Sequence, residues 1–405
     1  MRAKDITKIL FGAIVLGILS HPVLTADVKA AEPVSEAETD SGKNNTTDTA
    51  EILYDNETIL GHIDTSKNKE EVDMYRCMIT TKGYYTFSVV NNTDEDVNDG
   101  WKMSIYDKDM NMLEERYNIS SLYTSKKYAL AVGDMIYIRI EETNYSNSTN
   151  NRLYALISTP VAAEDWETEY NDTSGSATSL SGTINGTILK KEDVDYYRYK
   201  ADYKGYVRLS FKNTTGDNDS AGNGWKVTVY DIKMNKLSED ITVKKDCDDY
   251  CFTVKKGTVL YIKIEPQSNF SAYYAPVNVQ YTLSLTENKQ SDIEKEPNNK
   301  FTKTDKIKNK KTGEISYKDG KDHYIYKALR SKKIKVKLVI KNKKSGKYML
   351  KIYDSKKKLV KNGNKEITKK GTIAFKASKG KKYYIVVEKT KEAGNCNRLY
   401  ELSVK

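Results

Sequence analysis

The chain is poor in the residues that hydrolytic chemistry uses most. Only three histidines occur in 405 residues: His21, His62 and His323. No His-Glu-x-x-His pair is present, which excludes the commonest zinc-peptidase motif. There is no Gly-x-Ser-x-Gly elbow and no phosphate-cradling glycine loop. A Ser-His-Asp site could recruit only His62 or His323, which stand at non-equivalent places along the chain. Proline (6) and glycine (22) are too scarce for a collagen-like or low-complexity chain. Four cysteines, Cys77, Cys247, Cys251 and Cys396, make neither a disulfide framework nor a zinc finger. Cys247 and Cys251 in "DCDDYC" could close a small loop, and their pairing is left open.

Long apolar runs are missing as well. The longest, "ILFGAIVLGIL" (Ile9 to Leu19), is short for a membrane span and follows Arg2, Lys4 and Lys8. Small residues come next, with cleavage expected near Ala26, Ala30 or Ala31. Residues 1–31 therefore read as a signal peptide. The mature chain is expected to be secreted, without a transmembrane segment, and its association with a cell wall, if any, to be non-covalent.

What the chain has in excess is tyrosine and lysine. There are 31 Tyr against 7 Phe and 3 Trp, which suits half-buried strands whose hydroxyls stay wet. From Ser291 onward, 33 Lys and 2 Arg face 12 Asp plus Glu, a net of +23 in a chain whose total is +11. The first 290 residues thus carry −12. Outside a cell, a lysine-rich third favours anionic polymers or membrane surfaces over nucleic acid. A merely solvated face is the alternative.

One unit repeats three times. "DGWKMSIYDKDMNML" (Asp99 to Leu113) matches "NGWKVTVYDIKMNKL" (Asn223 to Leu237) and, more loosely, "SGKYMLKIYDSKKKLV" (Ser345 to Val360). Late strands ("DMIYIRIEE", "TVLYIKIEP", "KKYYIVVEK") and closing strands ("NRLYALIS", "VQYTLSLT", "NRLYELSV") keep the same step. A period near 124 residues means tandem globular domains rather than a solenoid. Strict alternation in runs such as "YVRLSFK" and "KIKVKLVIK", separated by turn clusters, predicts strands; no amphipathic helix is evident. The fold expected is all-β: three tandem jelly-roll-like antiparallel β-sandwiches at 32–162, 163–287 and 288–405. Three such units leave no room for a separate catalytic domain, so no enzyme is expected, although a glycosidase would need only two carboxylates.

Ahead of the second and third copies stand "ETEYND" (Glu167 to Asp172) and "EKEPNN" (Glu294 to Asn299), followed by "DVDYYRY" and "KDHYIYK". Glu-x-Glu-x-Asn-Asp, then Asp-x-Asp-Tyr-Tyr, then sandwich strands, resembles the bacterial pre-peptidase C-terminal domain. It is also similar to the collagen-binding domains of clostridial collagenases. The resemblance covers essentially the whole mature chain and is closest in the second copy. It implies a non-catalytic appendage fold, in some members calcium-binding. The ligands it implies here are Glu167, Glu169, Asn171, Asp172, Asp193 and Asp195. A second, weaker site is implied at Glu294, Glu296, Asn298, Asn299, Asp319 and Asp322, where Asn299 replaces an Asp. In the first copy Glu36, Glu38 and Asp40 only begin the pattern.

The residues themselves agree with that chemistry. Calcium takes six to eight hard oxygens, several of them carboxylates, and gathering five acids without a cation is repulsive. An acidic linker with an Asn-Asp turn cap is the alternative. Trp101 and Trp225 each follow Gly in the same strand, as core residues or as a platform for a sugar or peptide ligand. The function expected is a secreted, non-catalytic binding protein with calcium rigidifying the start of each domain. Its partners would be an extracellular polysaccharide, a cell-wall polymer or a protein, with no nucleic acid. The alternatives are a surface-attachment module using the basic third domain and an accessory partner of a secreted peptidase.

Overall fold

Alternation decides the architecture. In Gly83–Asn91 ("GYYTFSVVN") every second side chain from Gly83 to Val89 is buried, and Gly205–Asn213 ("GYVRLSFKN") repeats this from Gly205 to Phe211. Such strands must cover one face, and a second sheet does so. The structure, a computed structural model, describes residues 35–37, 43–64, 72–91, 100–143, 151–190, 192–214, 224–243, 246–267, 280–316, 320–341, 347–390 and 398–405. The expected signal peptide, Cys396 and Asp319 lie outside them. Among the described residues all regular structure is β, arranged in six sheets.

The six sheets form three pairs with one strand order. In the second pair the five-stranded sheet runs Thr178–Ser179, Asp195–Lys200, Val259–Pro266, Trp225–Asp231, Ile241–Val243. The facing sheet runs Thr183–Thr187, Gln280–Lys289, Gly205–Asn213, Asp246–Val254. Equivalent strands of the third pair take the same places, and the first pair adds an edge strand, Ser35–Ala37, parallel to Thr58–Asp64. Within each sheet the longer strands pair antiparallel. Each pair encloses its own hydrophobic core. In the second, Val207, Leu209 and Phe211 of one sheet meet Trp225, Val227, Val229 and Ile262 of the other. Full burial of each such side chain stabilises by about 1.5–3 kcal/mol. By backbone contacts Ser35–Lys405 is one unit. Leu189, from the segment after Thr183–Thr187, is buried in the first core.

The recurring Tyr-Asp pairs have a local cause. Asp107, Asp231 and Asp354 each turn a carboxylate oxygen onto the N–H groups two and four residues ahead, at 2.8–2.9 Å. The three turns bring Met110, Met234 and Lys357 to φ near 60°. Aspartate caps the turn as a short side-chain acceptor.

Of the two readings open for the tryptophans, core or ligand platform, the structure shows the core. Trp101 and Trp225 are 1% and 0% exposed. Trp101 packs on Tyr154 at 5.0 Å, and Trp225 on Phe211 at 5.2 Å. They lie on inward positions of a central strand, so alternation hides them from any ligand. Cys247 and Cys251 share the extended strand Asp246–Val254 and are thiols, so no small disulfide loop closes there.

Candidate metal centres

The acidic motif lies across the mouth of the second sandwich and is tied to both sheets. Glu167 N donates to Asn185 O (2.9 Å) and Asn185 N to Asp165 O (2.6 Å), which fixes the motif's start beside Thr183–Thr187. Its end is fixed by Tyr196 N, which donates to Asn171 O (3.0 Å) at the start of Asp195–Lys200. The chain between is therefore stretched over the open edge of the core, with its acids pointing in. Glu167, Glu169, Asn171, Asp193 and Asp195 are all buried, and Asp172 is exposed.

Glu167, Glu169 and Asp195 bring one carboxylate oxygen each within 4.8 Å of one another. Thr187 N donates to Glu167 Oε1 (2.5 Å), Asn171 Nδ2 to Glu167 Oε2 (3.2 Å), and Asn171 N to Glu169 Oε2 (3.2 Å). Two core tyrosines form the floor. The Tyr197 and Tyr281 hydroxyls lie 2.6 Å apart, with Glu167 against the first and Asp195 against the second, so two hydroxyl protons serve three contacts and a proton on one of the carboxyl groups completes the set. Four buried oxygens are left with no hydrogen-bond partner: Glu169 Oε1, Asn171 Oδ1, Asp195 Oδ1 and Thr187 Oγ1. Asp193 is beside them but differently used, because its oxygens accept from Leu189 N (2.5 Å) and Val194 N (2.8 Å).

Among the described residues no Lys or Arg lies within ion-pair distance of Glu167, Glu169, Asp193 or Asp195; nearby Lys190 reaches Asp107 instead, at 3.8 Å. Burial accordingly pushes Glu167 up to about 7 and Asp193 up to about 8. Glu169 and Asp195 are raised well above the carboxylate range, by burial first and then by the neighbouring acids. Without a cation, this cluster can be neutralised only by protons.

The third sandwich repeats the construction with one side open. Glu294, Glu296 and Asp322 form its trio, and Glu296 is exposed. Glu314 N donates to Glu294 Oε1 (2.5 Å), Asn298 Nδ2 to Glu294 Oε2 (2.8 Å), and Tyr400 to Asp322 (2.6 Å). Asn298 Oδ1 is buried without a partner. Asn299 is half-buried. Gly320 stands two residues before Asp322, where the second sandwich has Asp193, so one acid is missing there. Burial lifts Glu294 to about 8.

The first copy takes a register that the acids alone do not suggest. Met74 N donates to Asn44 O (2.8 Å), the bond that marks Asn171 and Asn298 in the other copies. Asp73 then matches Asp195, and Tyr154 donates to it at 2.6 Å. Counting back from Asn44, Asp40 occupies the place of Glu167 and Gly42 that of Glu169. Glu36 instead belongs to the edge strand, opposite Ile59, while Glu38 and Asp40 fall outside the described residues.

Other contributors are invisible in the motif: Thr187, the tyrosine pairs, and a glycine beside each pair. A Cβ at Gly186 would stand 2.5 Å from Tyr197 Oη and 2.6 Å from Tyr281 Cζ; Gly313 and Gly61 meet Tyr400 and Tyr154 in the same way. The closing-strand landmarks carried this signal, since each holds the tyrosine concerned: Tyr154, Tyr281 and Tyr400.

No protein-family model matches the chain, and no curated protein matches it. Among solved structures it is similar to the pre-peptidase C-terminal domain of collagenase from Bacillus anthracis. That likeness has 19% identity over 29% of this chain and 100% of that one, at TM-score 0.21. It is similar also to a protein from Eubacterium rectale described as secreted (11% identity, 62% and 84% covered, TM-score 0.22). A third is tripeptidyl peptidase 2 (8% identity, 83% and 34% covered, TM-score 0.20). At TM-scores near 0.2 these likenesses assign neither family nor activity. Among the described residues no helix is long and apolar enough to cross a membrane.

Proposed function

We propose that the chain is an exported, non-catalytic binding protein built of three sandwiches akin to pre-peptidase C-terminal domains. Calcium holds the start of the second sandwich and, more weakly, that of the third. The observation that carries this reading is the group of four unpartnered buried oxygens around Glu167, Glu169 and Asp195. A buried polar atom without a partner costs about 1–3 kcal/mol, and a hard cation satisfies several at once. The donor set is all oxygen, with carboxylates, an amide and a hydroxyl, which suits calcium or magnesium and not zinc. Glu167, Glu169, Asn171 and Asp195 would hold the ion, with Thr187 supporting. Asp193 and Asp172 would add charge from the adjoining loop. An ion here neutralises the cluster and locks a segment that rests on the first sandwich through Leu189 and Tyr170.

Thermal unfolding of the full chain with and without calcium tests this. An ion bound only by the folded form stabilises by about 2.7 kcal/mol at a hundredfold excess over Kd. The expected outcome is a higher melting temperature in calcium that Asp195→Asn reduces and Asp195→Asn/Asp322→Asn abolishes. Equal melting with calcium and with chelator would overturn the metal assignment.

A further inference from the structure

The third sandwich carries a groove of about 920 Å³ whose lining includes none of the acid cluster's residues. Its rim is cationic: Lys306, Lys308, Lys327, Arg330, Lys332 and Lys382 contribute, and no Asp or Glu is among the lining residues. None of these six forms an ion pair among the described residues, and all are exposed. Some lysines of the same sandwich are paired: Lys310 with Glu401, Lys311 with Asp305, and Lys321 and Lys351 with Glu388. Others on its strands, such as Lys333, Lys335 and Lys337, form no ion pair among the described residues, so what distinguishes the groove is its cations gathered around an apolar hollow.

The walls are apolar. Ile307 and Val404 are buried beneath, Ile325 is half-buried, and Leu329 is 77% exposed. Leu329 and Arg330 sit on the turn between Lys321–Lys327 and Lys332–Ile340. That turn is held to the loop before Lys382 by Gly380 N to Ala328 O (2.7 Å), Ala328 N to Lys381 O (3.0 Å) and Lys379 N to Ser331 Oγ (2.9 Å). That side of the concavity is therefore braced rather than formed by loose loops.

We propose that this groove binds an extended acidic peptide segment that carries apolar side chains between its carboxylates. In an extended chain alternate residues face opposite ways, so carboxylates reach the rim while apolar side chains reach Ile325 and Leu329. Arg330 adds a planar fork matched to a carboxylate. A bare polyanion would leave the apolar wall wet. A lipid surface would need the apolar residues to project beyond the cations, and here they line a hollow. The assignment does not depend on calcium.

The test is fluorescence anisotropy with the full chain and two labelled peptides of about ten residues, one alternating Glu with Leu and one alternating Glu with Ser. Rim charges and apolar wall together should favour the Glu/Leu peptide by about tenfold or more, with affinity falling as salt rises. Lys327→Glu/Arg330→Glu/Lys382→Glu should weaken it about tenfold, whereas Lys356→Glu/Lys361→Glu/Lys365→Glu, with the same charge change on exposed lysines outside the groove, should stay within about twofold. Leu329→Ser should narrow the difference between the peptides. Equal binding of both peptides overturns the proposal, and so does equal weakening by both triple variants, which would mean net charge alone. Groove-dependent binding to phosphatidylglycerol vesicles or polyphosphate without peptide binding would overturn it in favour of those partners.

Discussion

A carboxylate that is buried without a cation holds its proton, and this gives the acid clusters a measurable signature. Glu167 at about 7, and Asp193 and Glu294 at about 8, lie far above the ordinary carboxylate range. An unfolded chain releases these protons near pH 4–4.5. Between that point and about pH 8 the folded, metal-free protein binds more protons than the unfolded one, so its stability falls as pH rises. The carboxylates that are held low, such as Asp231, Asp240 and Glu401, give the opposite slope, but only below that window. Melting temperature in chelator should therefore fall from about pH 5 to pH 8, and saturating calcium should flatten or reverse the trend because the ion displaces the protons. A metal-free protein that became more stable across that range would contradict the buried, uncompensated state of these acids.

At the scale of elements, the turn that begins at each Tyr-Asp pair is the most literal repeat, and it makes a separable contribution. Asp354 accepts from Lys356 N at 2.8 Å and Lys358 N at 2.9 Å on an exposed loop, far from the acid cluster in sequence. Asp354→Ala should cost about 1–2 kcal/mol in urea unfolding, from two charge-assisted bonds, with no change in any calcium response. A loss of calcium binding in this variant would mean that the turns and the acid clusters are coupled. These turns, the strand alternation and the all-β class were readable from sequence because each depends on neighbours within a few residues. The site was readable only in part. Glu167, Glu169 and Asn171 sit in one short run, whereas Tyr281 comes from 114 residues beyond Glu167, and Thr187 and Gly186 have no distinguishing pattern. The tryptophans were ambiguous for a related reason: recurrence beside Gly fits a core or a platform, and only the facing sheet decides. In the first copy the acids misled, because its register is set by a backbone bond to Asn44.

At the scale of the whole molecule, the acid clusters lie where neighbouring sandwiches meet, which turns a local ion site into a constraint on the array. Glu314 shows the link most directly. Its N–H donates to Glu294 within the third sandwich's cluster, and its carboxylate accepts from Thr253 N on the outer strand of the second. One residue thus joins the site to the adjoining sheet. Filling the cluster should hold the Glu314 backbone in place and, through its side chain, protect the Thr253 amide. Local openings set amide exchange rates, so calcium should slow exchange at Thr253 while leaving the central-strand amides of Gly205–Asn213 unchanged. Asp322→Asn should remove that protection by emptying the site, and Glu314→Ala should remove it by cutting the link while calcium binding persists. Exchange at Thr253 that ignored calcium in the unmodified chain would show that the third site stiffens its own sandwich and not the junction.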